Sequence, residues 1–220
     1  MGFYIKQIEF ALPTNFEKNI VLKSKNKNWD IKEIEKKTGI LKRYISNKNE
    51  NVITLAVKSV SKILKKIEKN KIGFIIFVSQ THKNDLTSAS CIIQNHFSFK
   101  ENIIAFDLNI GCSGFVYALK IAQSLLNNNS RKHGLIICSD TYTKNISYDN
   151  KSSRPIFSDA SATVLLGYSK KFDFVQFDFG SDGSGSSDLY MLNKDTNGLN
   201  ASKRNEIFMN GGKIALFTMR

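Results

Sequence analysis

The stretch Ile103-Ile-Ala-Phe-Asp-Leu-Asn-Ile-Gly-Cys112-Ser-Gly-Phe-Val-Tyr-Ala-Leu-Lys-Ile-Ala-Gln-Ser-Leu-Leu126 decides the fold. Its first part, Ile103–Ile110, reads as a strand. Phe115, Ala118, Leu119, Ala122, Leu125 and Leu126 then recur on one helical face. Asn127, Asn128 and Asn129 end that helix. The same alternation extends both ways. From Asn51, the residues Ile53, Ala56, Val60, Ile63, Leu64 and Ile67 follow helical spacing, with lysines on the other face. Gly73–Ser79 is a continuous apolar run, the pattern of a strand buried on both faces. A short helix is expected from about Ser88 to Phe97, and a second buried strand at Gly134–Ser139. Strand and helix thus alternate repeatedly, which predicts an α/β sheet with parallel strands.

The flanks are weaker in pattern. Phe3–Leu12 reads as a strand, and a polar Lys/Asn-rich stretch follows. Within it, Trp29-Asp30-Ile31 opens a short amphipathic helix that Gly39 stops. After Asp140 the chain is polar up to Arg154-Pro155. Ser161–Tyr168 reads as a strand and Phe172–Phe179 alternates, so the two are expected to pair as a hairpin. The glycine-rich loop Gly180–Ser187 has neither the Lys-Ser/Thr of a phosphate-binding loop nor the surrounding strands and helix of a dinucleotide fingerprint. The last residues, from Phe208, read as the start of a further element.

Composition narrows the classes. The 220 residues are 41% hydrophobic, enough for one sizeable core or two small domains. No run approaches the roughly 20 apolar residues of a membrane span. The N-terminus lacks the basic start and apolar run of a signal peptide, so no membrane span and a cytoplasmic location are expected. Cys91, Cys112 and Cys138 are widely spaced, with no CxxC pair, so neither a metal site nor a disulfide framework is expected. The net charge of +13 comes from 32 Lys and Arg against 19 Asp and Glu. These basic residues are scattered and no nucleic-acid-binding motif accompanies them, so no nucleic-acid partner is expected. A basic surface suits an acidic protein or a phosphorylated ligand.

Cys112 lies between a predicted strand and the N-terminus of a predicted helix. Unpaired N–H groups and the macrodipole favour an anion there, which lowers a thiol's pKa and raises its nucleophilicity. Gly111 and Gly114 would leave room for a thioester to approach, and nearby N–H groups could hold an oxyanion. A small buried apolar residue is the competing reading. Cys138 reads as core and Cys91 as packed on its helix. His82 follows a strand at the end where α/β sites collect, whereas His96 and His133 fall at element ends. None is an obvious base for Cys112.

Together these pieces resemble the β-ketoacyl-acyl-carrier-protein synthase III family of the thiolase superfamily. Thr38-Gly39-Ile40 with Arg43 resembles its early TGI-x-x-R motif. Phe106–Phe115 with Tyr117-Ala118-Leu119 resembles its nucleophile segment. Ser139-Asp140-Thr141, then Phe157-Ser158-Asp159-Ala160-Ser161-Ala162, then Ser181–Gly185 and Met209-Asn210-Gly211 follow in the family's order. The chain departs from the pattern in several places. Ser158 replaces a glycine of FGDGAGA and Ser161 departs from it too, and the loop Thr81–Ser90 lacks the usual proline. The tryptophan before TGI is absent, with Glu33 near that place and Trp29 displaced. Such departures fit a specialised relative serving a glycan or secondary pathway.

The resemblance implies a thiolase-like α/β fold, with an N-terminal βαβαβαββ half over residues 1–179. Residues 180–220 would then form the linker and the start of a second half. It implies that Cys112 takes an acyl group from acyl-CoA and that malonyl-acyl-carrier-protein then condenses with it, losing CO₂. It implies CoA contacts by Lys37 and Arg43, with Lys42 a further candidate, and no permanently bound cofactor. Acyl carrier protein and a second copy of the chain, as a homodimer, are the implied partners. The family's catalytic His and Asn lie in its second half, so a continuation past Arg220 is expected to supply them. Two alternatives stand beside this. One is a same-fold acyltransferase to a hydroxyl or amine. The other is a fragment that needs a complementary chain.

Overall fold

The structure is a computed structural model that describes residues 2–82, 86–126, 132–169, 176–191 and 206–219. In chain order the first elements are β1 (Gly2–Ala11), β2 (Asn15–Lys18), α1 (Asn19–Lys25), α2 (Ile31–Thr38) and β3 (Lys42–Ile45). The middle holds α3 (Val52–Leu64), β4 (Ile72–Val78), α4 (Ala89–His96), β5 (Ile104–Leu108), α5 (Gly114–Leu126) and β6 (His133–Asp140). β7 (Ala160–Ser169), β8 (Leu189–Met191), β9 (Ile207–Met209) and α6 (Gly211–Thr218) complete the series. The chain divides into two compact units. The first comprises Met1–Pro13, Asn47–Asp140 and Ala160–Asp178; the second comprises Thr14–Ser46, Thr141–Asp159 and Phe179–Arg220.

The first unit is built on a five-stranded sheet of order β1-β7-β6-β4-β5. β4 runs parallel to both β5 and β6, as the strand–helix alternation predicts. β7 runs antiparallel to β6 and to β1, so the sheet is mixed. Side chains of β4 point alternately to the two faces, and both faces are covered. Ile75 and Phe77 meet Val52, Ala56, Val60 and Ile63 of α3 and Ile93 of α4. Phe74, Ile76 and Val78 meet Ala118, Ala122 and Leu126 of α5. Burial on both sides is why β4 is apolar without alternation. Asn51 starts α3 with a reciprocal capping box: its side chain accepts from Thr54 N while Thr54 accepts from Asn51 N.

The hairpin expected of Ser161–Tyr168 and Phe172–Phe179 is not formed. β7 already has β1 on one side and β6 on the other, so neither edge is open to a further strand. Residues 176–179 carry no strand, and 172–175 lie outside the described residues, as do Asn127, Asn128 and Asn129.

In the second unit β2 and β3 pair antiparallel. The short helix expected after Trp29 is α2. The Asp30 side chain accepts from Glu33 N at its start, and Gly39 ends it in the left-handed conformation at φ 69°. β8 and β9 pair antiparallel, and Asn210 caps α6 by accepting from Lys213 N.

Candidate active site

The register sets Val78 beside both Leu108 and Cys138, so the C-terminal ends of β5, β4 and β6 lie side by side. Ser79 N donates to Leu108 O at 3.2 Å and ties the chain leaving β4 to the end of β5. Cys112 is exposed on the turn that links β5 to α5. That turn is closed by Gly114 N donating to Gly111 O at 2.8 Å. Ser113 O accepts from Val116 N at 3.0 Å and Tyr117 N at 3.1 Å, which begins the helix. The thiol therefore stands one residue before the first helical carbonyl, open to solvent.

The two glycines beside Cys112 serve different ends. A Cβ on Gly111 would come 2.6 Å from Gln80 Oε1, so the Gln80 amide lies against Gly111. A Cβ on Gly114 would meet Val78 Cγ1 at 2.6 Å and Ile110 Cβ at 3.3 Å. Gly114 is thus needed for the close approach of α5 to β4; the space beside it is filled by protein and is not left for a thioester.

Asp140, at the end of β6, faces the chain leaving β4. Its Oδ1 accepts from Ser79 Oγ at 3.0 Å, Gln80 N at 2.9 Å, Thr81 N at 3.0 Å and Thr81 Oγ1 at 2.7 Å. Burial pushes its carboxyl above the ordinary range, against the pull of these hydrogen bonds. Burial, with Asp140 adding its charge, pushes the Cys138 thiol up to about 12. Cys138 is therefore a thiol at neutral pH, which agrees with its reading as inert core. Cys91 differs from expectation: it is exposed on α4 rather than packed. Asp107, within the Cys112 segment, accepts from Ala89 N at 2.6 Å and Ser90 N at 2.9 Å and so caps α4 from another strand. Sequence alone gave no sign of that role, because the donors are remote from it in the chain.

The histidines make other contacts. His82 Nε2 pairs with Thr87 O at 3.0 Å, and His96 stands edge-on to Phe97. His133 opens β6, where burial and nearby lysines lower its pKa. None of these contacts involves Cys112.

Lys37 and Arg43 belong to the second unit. Lys37 is exposed on α2 and paired with Glu33 at 2.7 Å. Arg43 is buried, with 1% exposure. Its Nη1 donates to Arg154 O at 3.2 Å and its Nη2 lies 3.9 Å from Glu17. Burial lowers its pKa. Lys42 is exposed, over the rings of Phe16 and Tyr44.

Ser158 and Ser161 are both held by hydrogen bonds. Ser158 Oγ accepts from Tyr44 N at 2.8 Å and donates to Tyr44 O at 3.1 Å. Ser161 Oγ shares a hydrogen bond with Ser59 Oγ at 3.0 Å in the core of the first unit. Asp159 between them is buried and accepts from Ser46 N, Thr143 N and Thr143 Oγ1. Among the described residues no cluster of His, Cys, Asp or Glu could hold a metal ion, and no helix is long and apolar enough to cross a membrane.

The sequence model of the 3-oxoacyl-[acyl-carrier-protein (ACP)] synthase III family matches residues 106–183, which contain Cys112 and the segment through Asp159. The β-ketoacyl-[acyl-carrier-protein] synthase III of Clostridium botulinum is 33% identical over 193 residues, covering 84% of this chain and 59% of that protein. The chain is similar to this family over the segment that carries Cys112. The β-ketoacyl-[acyl-carrier-protein] synthase III of Fusobacterium nucleatum is 31% identical over 186 residues, covering 83% of this chain and 54% of that protein. A 2.1 Å crystal structure of a 3-oxoacyl-(acyl-carrier-protein) synthase III superposes with a TM-score of 0.88 at 26% identity, covering all of this chain and 70% of that one. The expected thiolase-like α/β fold therefore holds. The chain spans just over half the length of the curated relatives it matches.

Proposed function

We propose that the chain is the Cys112-bearing part of an acyl-CoA-dependent condensing enzyme. The observation that carries this is the placement of Cys112: an exposed thiol ahead of α5, at the C-terminal edge of three parallel strands, within the family segment. In the first step the Cys112 thiolate attacks the acyl-CoA carbonyl, and CoA leaves as its thiolate and takes up a proton. In the second, malonyl-acyl-carrier-protein loses CO₂; the resulting carbanion attacks the acyl-cysteine carbonyl and expels the Cys112 thiolate. The covalent intermediate splits one difficult step into two.

Acyl-CoA enters as a substrate and no cofactor stays bound. Lys37 is proposed to meet the CoA phosphates from the surface of α2 as a point charge. Arg43, inside the same unit, is proposed to serve CoA by fixing β3 against Arg154 and Glu17. Acyl carrier protein is the proposed donor of the extender. A homodimer in the cytoplasm is the proposed state, and β5 supports it as an edge strand with one side unpaired within its sheet. Residues 1–179 are proposed as the N-terminal thiolase-like half and 180–220 as the entry to the second.

The two steps are tested separately. With acetyl-CoA, intact-mass spectrometry is expected to find one acetyl group on wild type, mapped to Cys112, and none on Cys112→Ser. Acetylation elsewhere, or none, overturns the assignment of Cys112. CO₂ release from malonyl-acyl-carrier-protein on the acetylated protein separates condensation from plain acyl transfer to a hydroxyl or amine.

A further inference from the structure

We propose that Asp140 is a positioning residue for Cys112 and that it acts through Gln80. The proposal rests on Cys112 as the acyl acceptor and adds what holds its turn. β4 ends at Val78, and the chain must leave the sheet there while its backbone N–H groups still need partners. Asp140, brought alongside by the β4–β6 register, supplies one. A single oxygen gathers two consecutive peptide N–H groups, those of Gln80 and Thr81, and the hydroxyls of Ser79 and Thr81. These bonds involve an ionisable acceptor in a partly buried place, where such bonds are strong. They fix the backbone of Gln80.

With its backbone held, Gln80 lays its amide on Gly111, whose missing Cβ is what admits it. Gly111 is the residue before Cys112, and its carbonyl accepts the hydrogen bond that closes the turn. Ser79 N, bonded to Leu108 O, anchors the same loop to the end of β5. Asp140 thus reaches the thiol through one short path: carboxylate, loop 79–81, Gln80 amide, Gly111. Asp140 does not itself touch a reacting atom.

The full chain is treated with acetyl-CoA, and Cys112 acetylation is timed in wild type, Asp140→Ala, Asp140→Asn and Gln80→Ala. In parallel, iodoacetamide labels Cys112 and Cys91, and peptide mass spectrometry gives the two rates. Cys91 is exposed in the same unit and reports general loosening. Misplacing a reacting group by a fraction of an ångström is expected to slow acetylation about tenfold in Asp140→Ala and in Gln80→Ala. Asp140→Asn keeps an acceptor oxygen in the same place and is expected to restore most of the rate. Cys91 labelling is expected to stay level throughout. Gln80 is exposed, so Gln80→Ala reads the path even where Asp140→Ala fails to fold. Wild-type rate in Gln80→Ala overturns the proposal, as does Asp140→Asn falling as far as Asp140→Ala. A wild type that takes no acetyl group defeats the assignment of Cys112 instead. The ratio of Cys112 to Cys91 labelling, expected to change at least about threefold in Gln80→Ala, then still decides the positioning.

Discussion

A methyl group added to Gly114 would stand 2.6 Å from Val78 Cγ1 and 3.3 Å from Ile110 Cβ. Both are stiff β-branched side chains on or beside strands, and neither can swing aside. Gly114→Ala is therefore expected to cost about 1–3 kcal/mol, the range of an overpacked core. Gly111→Ala meets only the tip of Gln80, a flexible amide, and is expected to cost clearly less. Urea midpoints of the two variants check this; equal shifts refute it. Glu17 poses the opposite case, a carboxylate shared by two buried guanidiniums. It accepts from Arg154 Nη2 at 3.3 and 3.2 Å and from the Tyr148 hydroxyl, and Arg43 approaches to 3.9 Å. Glu17→Ala leaves both cations without a counter-charge and is expected to cost about 3–5 kcal/mol. Arg43→Met is expected to cost less than half of that, because Arg43 Nε and Nη2 have no hydrogen-bond partner among the described residues. Thermal melts of the two variants decide it; a larger loss from Arg43→Met would sink the reading.

Elements with their own start and stop signals were legible in the sequence, and those held only by a partner were not. Asp30 and Gly39 delimit α2, and Asn51 opens α3 with a capping box, each within a few residues of chain. β2 and β3 are short, polar strands that exist because they face each other, with Phe16 beside Tyr44 and Lys42 over both rings. No local pattern marks them. The hairpin after β7 failed for the same reason in reverse: the local alternation was there, but β7 has β1 on one side and β6 on the other. The strand β6 also carries a pH dependence that its burial pattern sets. His133 has a buried Nδ1 with no hydrogen-bond partner among the described residues, and burial together with Lys6, Lys71 and Lys132 lowers its pKa. The unfolded chain then binds a proton near the ordinary value of about 6.5 while the folded chain does not. Protons bound in the unfolded state exceed those in the folded one, so stability rises with pH through this window. The contribution is complete above about pH 6.5 and is lost as pH falls toward the lowered folded value. Urea titrations at pH 7, 6 and 5 are expected to show a shallower loss in His133→Asn than in wild type. Identical slopes would falsify the assignment.

At the scale of the whole chain, the place of Cys112 between β5 and α5 was legible because strand, turn and helix signals coincide on one stretch. The sequence did not carry the Asp140 network, since Asp140 and Gln80 stand 60 positions apart and meet only through the placing of β6 beside β4. It placed Arg43 among surface contacts because a basic residue near a motif gives no sign of being enclosed; the enclosure comes from Glu17 and Arg154, both distant in sequence. Net charge, by contrast, needs no fold to be read. The excess of +13 means that at least 13 of the 32 Lys and Arg have no acidic residue to pair with, and the fields of such charges add at a distance. An acidic carrier protein would be drawn by that field more than by any single contact. Its reach shrinks from about 30 Å at 0.01 M salt to about 3 Å at 1 M. If acyl carrier protein is the partner, as proposed above, its affinity for the chain is therefore expected to fall at least about tenfold between low and high salt, mainly through slower association. Acetylation of Cys112 by saturating acetyl-CoA is expected to change little over the same range, since that step needs local contacts rather than long-range steering. Surface plasmon resonance across a sodium chloride series separates the two effects. A salt-independent affinity would mean that recognition rests on an apolar or shape-matched contact, and the basic surface would then have no part in choosing this partner.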